Sequence, residues 1–592
     1  MKTTWGEGLN PASILPEYPR PQMRRESYIC LNGPWRYAIA AGDEMPLRME
    51  GEILVPFSPE SQLSGVGETL RPGQSLWYRR EFILPEGFNI GRVLLHFGAV
   101  DQTAVVYING REAGRHGGGY TPFTLDITAA LQEKNLLTVK VQDNTEQSVY
   151  TRGKQSGKPG GIWYTAQSGI WQTVWLESVP QDYIAGLFIK PLFDESALEL
   201  TVCAHADGLP CTARVGDIVR QGVSNQPFHI SMQGFTPWTP EHPHLYGLTV
   251  KMGEDQVQSY FGMRKVTLEK DEQGMPRIFL NGAPYFQSGV LDQGYWPDGL
   301  YTAPSDEAMI HDIETMKDLG FNMLRKHVKV EPLRWYYHCD RLGMLVWQDM
   351  PNGGSTYKKS RVVAPLFTGR NRTDDDYAAF GREDPAGREA FLREMEAVVA
   401  TLYNSPCVVV WVPFNEGWGQ FDAAKITEQL RDWDDSRLID HASGWHDQGA
   451  GDIKSCHTYF KRFRFRQDSG ERAVALTEFG GYGLTIAGHA AKKHKFSYKT
   501  YQSSEALGAA WRKLYMEEVL PAVKRGLCAA VYTQLSDVEG ERNGILTWDR
   551  AMCKISAEQI RSVNGMLRSG WTPGTAAAPQ PIAAEEKGAA PL

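Results

Sequence analysis

A chain of 592 residues is too long for one hydrophobic core, and its length implies roughly three or four domains. Charged residues at 22% and hydrophobic residues at 42% are ordinary proportions for a soluble globular protein. The net charge of -8 speaks against nucleic-acid or anionic-membrane partners, both of which reward a basic surface.

The first 27 residues read as an N-terminal segment. Its opening, MKTTWGEGLNPAS, has no apolar stretch after the single Lys and so is not a signal peptide. No apolar run nears the ~20 residues that span a bilayer, so a cytoplasmic protein is expected. Residues 28–180 alternate in short β-branched segments broken by Gly, Pro, Asn and Asp: Trp77–Phe82, Arg92–Phe97, Ala104–Ile108, Leu136–Val141 and Thr173–Leu176. Asn109-Gly110 marks a hairpin turn. This pattern predicts a jelly-roll β-sandwich. Residues 181–264 continue all-β, at the size of an immunoglobulin-like sandwich.

From 265 to 570 the pattern becomes strand, loop, helix, repeated. Predicted strands are Tyr285–Val290, Asn322–His327, Met344–Asp349, Val408–Asn415, Leu438–Ser443, Ile453–Tyr459, Val474–Phe479 and Ala529–Leu535. The run Val408-Val409-Val410-Trp411-Val412 is apolar at successive positions, as a strand buried on both faces requires. Predicted helices include Ser305–Leu319, capped by Ser305 and stopped at Gly320, and Pro332–Leu342, stopped at Gly343. Longer ones cover Arg388–Tyr403 and Glu505–Lys524. Eight strands alternating with helices predict a (β/α)₈ TIM barrel. The polar stretch Pro351 to Asp384, after the third strand, is either a pocket wall or a solvated flap. Residues 571–592, rich in Pro, Ala and Gly, read as a disordered tail. The eight cysteines include no CxxC pair and sit mostly in apolar runs, which favours buried free thiols.

Barrel active sites are built where strands end at the C-terminal mouth. Two carboxylates stand there: Glu416 closes the fourth strand and Glu478 the seventh. Glycosidic cleavage with retention needs such a pair, one protonated to assist the leaving oxygen and one ionised to attack the anomeric carbon, ~5–5.5 Å apart. Burial and mutual repulsion would drive their pKa values apart. Seventeen Trp and 25 Tyr suit sugar recognition, although aromatics fill cores more often than sites. No His, Cys and carboxylate cluster has metal-ligand spacing, and there is no dinucleotide fingerprint or P-loop, so no cofactor is expected.

Several separated motifs resemble glycoside hydrolase family 2, the family of β-galactosidases, β-glucuronidases and β-mannosidases. They are Gly161-Ile162-Trp163 with Ser168-Gly169-Ile170-Trp171-Gln172, Phe261-Gly262-Met263-Arg264, Phe279-Leu280-Asn281-Gly282, Asn322-Met323-Leu324-Arg325 and Asn415-Glu416. The resemblance runs from about Tyr28 to Leu567 and implies a jelly-roll, an immunoglobulin-like domain and a TIM barrel. It implies Glu416 as acid/base, Asn415 on the sugar 2-hydroxyl and Glu478 as the nucleophile. It further implies Tyr459 as the hydroxyl that bonds the nucleophile and Arg325 as the cation beneath it. His327, His457, Asp292, Gln293, Trp296 and Trp548 complete the candidate sugar contacts, with Trp296 as a stacking wall.

The resemblance implies a carbohydrate substrate, no organic cofactor and a homo-oligomer. The family's glucuronidases hold the sugar carboxylate with Asn-x-Lys after the eighth strand. Here Glu541-Arg542-Asn543-Gly544-Ile545 lacks that Lys and adds an acid. The reading is therefore a retaining exo-glycosidase of β-linked neutral sugars, galactosides first. Glucuronidase, arabinosidase and other specificities stay open, and so does a carbohydrate-binding protein without catalysis.

Overall fold

The computed structural model describes residues 1–491 and 495–571. The tail after Trp571 lies outside the described residues. Two antiparallel sheets face each other in the first sandwich. One has six strands, in the spatial order Gly51–Val55, Gly33–Ala41, Gln74–Phe82, Asn135–Gln142, Thr103–Ile108 and Arg111–Gly117. The other has four: Tyr28–Cys30, Val174–Val179, Arg92–Phe97 and Phe123–Asp126. Alternate side chains of both sheets, among them Trp35, Leu95, Val106 and Val139, fill the space between them. Asn109 and Gly110 both have positive φ, 54° and 79°, the two-residue hairpin geometry that the strands' right-handed twist favours. The second sandwich packs a three-stranded sheet (Gly186–Leu192, Ala197–Cys203, Phe228–Ser231) on a four-stranded one (Ile218–Val223, Pro210–Val215, Tyr246–Met252, Asp255–Phe261).

The remaining strands make one parallel eight-stranded sheet. They are β1 (Gln287–Asp292), β2 (Met323–Lys326), β3 (Leu345–Asp349), β4 (Val408–Val412), β5 (Leu438–Ile439), β6 (Ile453–Thr458), β7 (Ala473–Gly480) and β8 (Leu527–Thr533). Their spatial order, β5-β4-β3-β2-β1-β8-β7-β6, curls into a nearly closed barrel. Helix α1 (Asp306–Asp318) is capped by the Ser305 side chain, which accepts from the Ala308 N–H. Helix α2 (Leu333–Leu342) ends at Gly343, whose φ of 75° and position against the Pro240 carbonyl leave no space for a Cβ. Helices α3 (Pro385–Leu402) and α4 (Ala423–Trp433) flank β4 on either side in sequence. The predicted helix 505–524 divides into α5 (Ser504–Leu514), a π turn (Tyr515–Val519) and a final turn (Leu520–Val523).

The barrel's first strand starts two residues later than its apolar run predicts. Pro284 sits in a short antiparallel contact with Phe279, and parallel pairing begins only at Gln287 opposite Ala529. The N-terminal segment is tied to the other units. Arg25 joins Glu177 of the first sandwich to Asp255 of the second, and Thr3 donates to Asp298 beside the barrel mouth. All eight cysteines are free thiols. Among the described residues, no helix is long and apolar enough to cross a membrane.

Candidate active site

Glu416 lies just past β4 with φ at 52°, a backbone region that few residues other than Gly adopt. Its N–H donates to the Ser443 carbonyl at 2.9 Å, and its carbonyl accepts from the Trp445 indole at 2.8 Å. The chain after β5 therefore holds Glu416 in this conformation. Glu478 stands near the end of β7, and His457 near the end of β6 lies between the two. The His457 Nδ1 is 2.9 Å from the Glu416 carboxylate and 3.7 Å from that of Glu478, while Nε2 meets the Ser443 hydroxyl at 3.1 Å. One oxygen of each carboxylate and a His457 nitrogen all lie within 4.8 Å of one another. Linear sequence showed no metal-ligand spacing, but the barrel brings these three donors, from separate strands, to a distance at which a cation can be held. Each already has partners: His457 for Glu416, Ser443 for His457, and Arg325 and Tyr459 for Glu478.

The two carboxylates sit in opposite electrostatic settings. Burial raises the pKa of Glu416, and the charge of Glu478 adds to that shift. Burial would raise Glu478 as well, but neighbouring positive charge, from His457 in its protonated form and from Arg325 and Lys154, outweighs it and holds this carboxyl below its ordinary value. Arg325 and Lys154 are the permanent cations of that set. The arrangement thus favours a proton on Glu416 and a charge on Glu478.

Arg325, fully buried on β2, organises the floor. It forks onto Asp349 at 2.9 and 3.0 Å, reaches Glu478 at 3.3 Å, and donates to the Asn415 side-chain oxygen at 2.8 Å. That last bond fixes the Asn415 amide. Its Nδ2 is left buried with no partner among the described residues, a donor with a free hydrogen. His327 is handled the same way. Burial pushes its pKa down and keeps the ring neutral, and Nδ1 lies 2.7 Å from the Arg325-bound Asp349 carboxylate. Nδ1 therefore carries the proton, and the unpartnered Nε2 is an acceptor. The Tyr459 hydroxyl donates to Glu478, its ring stacking on Tyr498 at 3.7 Å.

Other expected contacts have different partners. Asp292 is ion-paired to Lys326 at 2.6 Å and accepts from the Gly294 N–H, while the neighbouring Gln293 keeps an unpartnered Nε2. Trp296 meets Trp5 edge-on at 6.1 Å and the Arg550 guanidinium at 4.3 Å, and Arg550 also covers Trp548 at 5.6 Å. Both indoles are packed against the N-terminal segment or Arg550 rather than against the carboxylates. The aromatic surroundings come instead from Trp418, Trp445 and Trp163. The Trp418 ring is 5.9 Å from His327 and 5.3 Å from Trp163.

Trp163 and Lys154 belong to a loop of the first sandwich that reaches the barrel mouth, and sequence reasoning gave neither a role. The Tyr164 hydroxyl of this loop donates to Glu541, the Thr165 N–H donates to Glu539, and the Thr151 hydroxyl donates to Glu394 on α3. The 351–384 stretch closes another side. It contains two short helices, Lys359–Val362 and Ala364–Thr368. Asp374 accepts from Gln420 and the Ala423 N–H, and the Arg372 N–H donates to His446. It therefore packs on the loops that follow β4 and β5.

Three family models match in series: the sugar-binding domain of glycosyl hydrolases family 2 at residues 68–180, glycosyl hydrolases family 2 at 183–264, and its TIM barrel domain at 280–502. A β-galactosidase of Thermoanaerobacter pseudethanolicus is 25% identical over 384 residues, 60% of this chain and 46% of that protein. A putative β-glucuronidase of Formosa agariphila is 29% identical over 308 residues, 48% of this chain and 36% of that protein. The matched region thus spans about half or less of the length of these curated relatives. Among solved structures, a family 2 β-galacturonidase from Eisenbergiella tayi superposes with a TM-score of 0.69 at 19% identity, over 92% of this chain and 97% of that one, which shows the shared fold. With three successive models of one family taking in most of residues 68–502, the chain belongs to glycoside hydrolase family 2.

Proposed function

We propose that the protein is a retaining exo-glycoside hydrolase acting on β-linked sugars by double displacement. The observation that carries this reading is the buried Glu416–His457–Glu478 cluster. Its donor atoms lie within 4.8 Å, and its two carboxyls are shifted in opposite directions. A pair this close fits the ~5–5.5 Å of retaining enzymes and is too close for the ~6.5–9.5 Å that admits an inverting water.

In the first step a Glu478 oxygen forms a bond to the anomeric carbon as the glycosidic C–O bond breaks. The Glu416 carboxyl passes its proton to the departing oxygen. In the second step the Glu416 carboxylate takes a proton from water, the water oxygen bonds to the anomeric carbon, and Glu478 leaves as a carboxylate. Asn415 Nδ2 donates to a ring hydroxyl, and that contact tightens as positive charge develops on the sugar. Arg325 and Tyr459 keep Glu478 ionised as the better nucleophile.

A neutral glycone, galactoside first, was expected because Glu541 would repel an anionic sugar. That ground weakens with Glu541 only 1% exposed and its oxygens accepting from Tyr164 and Asn543. Arg542 is turned to Thr485 and the Ala491 carbonyl. The named relatives span galactosidase, glucuronidase and galacturonidase activities.

The test is hydrolysis of p-nitrophenyl β-glycosides with Glu478→Ala as the control and proton NMR of the first-formed sugar. Turnover with a β-configured product, reduced in the control by about 10⁴-fold or more, is the expected result. An α-configured first product would sink the nucleophile assignment. Silence across the panel in folded protein would favour a carbohydrate-binding protein instead.

A further inference from the structure

Lys154 is 5% exposed, yet among the described residues its ammonium has neither a hydrogen-bond acceptor nor a carboxylate partner. Its Nζ lies 5.7 Å from the Tyr164 ring and 5.7 Å from the Trp418 ring. Trp418 follows Glu416 by one turn of loop and stands 5.9 Å from His327, so this cation faces the same small space as the catalytic carboxyls. Its charge is felt there, at Glu416, Glu478 and His327 alike. An ammonium on a largely buried side chain, with aromatic rings about it and no acceptor, is placed to meet an arriving anion.

The nearby acids are already committed. Glu478 has Arg325 and Tyr459, Glu416 has His457, and Glu541 has Tyr164 and Asn543. Lys154 is thus a surplus cation, held between two aromatic rings. A sugar hydroxyl can accept from the ammonium but leaves its charge unneutralised. A carboxylate satisfies it.

We propose that Lys154, carried to the barrel mouth by the first sandwich, anchors a carboxylate on the glycone, making a β-linked hexuronic acid the preferred sugar. This deepens the hydrolase reading of the same site and rests on it. It also assigns to the sandwich domain a recognition role that the sequence reading placed after β8.

The experiment compares kcat/KM on p-nitrophenyl β-glucuronide and β-galacturonide with the matching glucoside and galactoside, in the full chain and in Lys154→Met and Lys154→Arg. Each ratio is taken within one enzyme and so is independent of the fraction folded. The wild type is expected to prefer a uronide over its neutral counterpart by about 100-fold or more. Lys154→Met should cut that ratio by about 100-fold, and Lys154→Arg should retain most of it. A neutral preference in the wild type, or a ratio unmoved by Lys154→Met, overturns the proposal while leaving the hydrolase reading intact.

Calorimetric titration of glucuronate and galacturonate against glucose and galactose separates the two ideas further. Acid-selective binding lost in Lys154→Met, with no turnover of any glycoside, would sink the hydrolase reading and keep the lysine's role. Acids that bind no better than neutral sugars would overturn it.

Discussion

Tyr459 has one proton to give, and it gives it to Glu478. Burial and the adjoining carboxylate raise the tyrosine's pKa, so the phenol stays protonated and remains a donor. A hydrogen bond to the charged form of an acid lowers that acid's pKa. Tyr459→Phe should therefore raise the Glu478 pKa and carry the acid limb of the kcat/KM profile to higher pH. The alkaline limb, set by Glu416, should move less. A lost bond to a charged group is worth about 1.5–3 kcal/mol, or roughly 10- to 100-fold in kcat/KM. A profile whose acid limb stays in place would show that the phenol does not tune the nucleophile. The wild-type profile should itself be a bell, its acid limb below about 4.3 and its alkaline limb above, because the two carboxyls are displaced in opposite directions from that value.

The loops that carry Asn415 and Glu416 owe their positions to elements away from the two carboxylates. Arg382, buried near the end of the 351–384 stretch, donates to the carbonyls of Gly419, Gly387 and Asn352. Asn352 in turn accepts from the Asn415 N–H at 3.3 Å and donates to the carbonyls of Met350 and Pro413. One guanidinium thus ties the loop after β3 to the loop after β4. Arg382→Met would remove the donor to three carbonyls, two of them in loops, destabilising the fold by about 3 kcal/mol and lowering kcat more than it raises KM. Unchanged melting and kcat would mean that the loops hold their shape without it. Such long-range fastening explains what was legible in the sequence. β4 and β7 could be read because a strand buried on both faces is apolar throughout, and Glu416 and Glu478 because each follows directly from such a run. Lys154 and Trp163 could not, since their loop has no periodicity and only sandwich–barrel docking brings it to the mouth. Asp292 and Trp296, expected as sugar contacts, are engaged by Lys326 and Trp5, and neither pairing has a local signature.

At the scale of the molecule, paired and buried acids, some of them at the junctions between units, fall into two kinds with opposite consequences for stability. Glu177, joined to Arg20 and Arg25, Asp306, joined to Arg334 and His338, and Asp447, joined to Arg472, are held below the ordinary carboxylate range, their ion pairs outweighing burial. These groups stabilise the fold above their unfolded pKa of about 4, and that contribution is lost as pH falls through the folded values. Burial drives the second kind the other way: Glu60 and Glu394 to about 7, Asp143 and Asp340 to about 6. Here the native state binds the proton more tightly, so stability is full below about 4 and declines as pH rises towards 6 and 7. The two sets together place maximum stability near pH 4–5, well on the acid side of neutrality. Glu394 is the clearest single test, because from helix α3 it accepts from the Tyr120 N–H at 3.1 Å and from the Thr151 hydroxyl, fastening the sandwich to the barrel. Glu394→Gln keeps an acceptor for one of these bonds and removes the titration. Thermal unfolding followed from pH 4.5 to 8 should show a wild-type midpoint higher at 5.5 than at 7.5, and a flatter dependence in the variant, the difference amounting to about 2–3 kcal/mol across the range. A wild type that melts higher at 7.5, or a variant with an unaltered slope, would mean that Glu394 stays charged in the fold and that the junction is held by an ion rather than by a neutral acid.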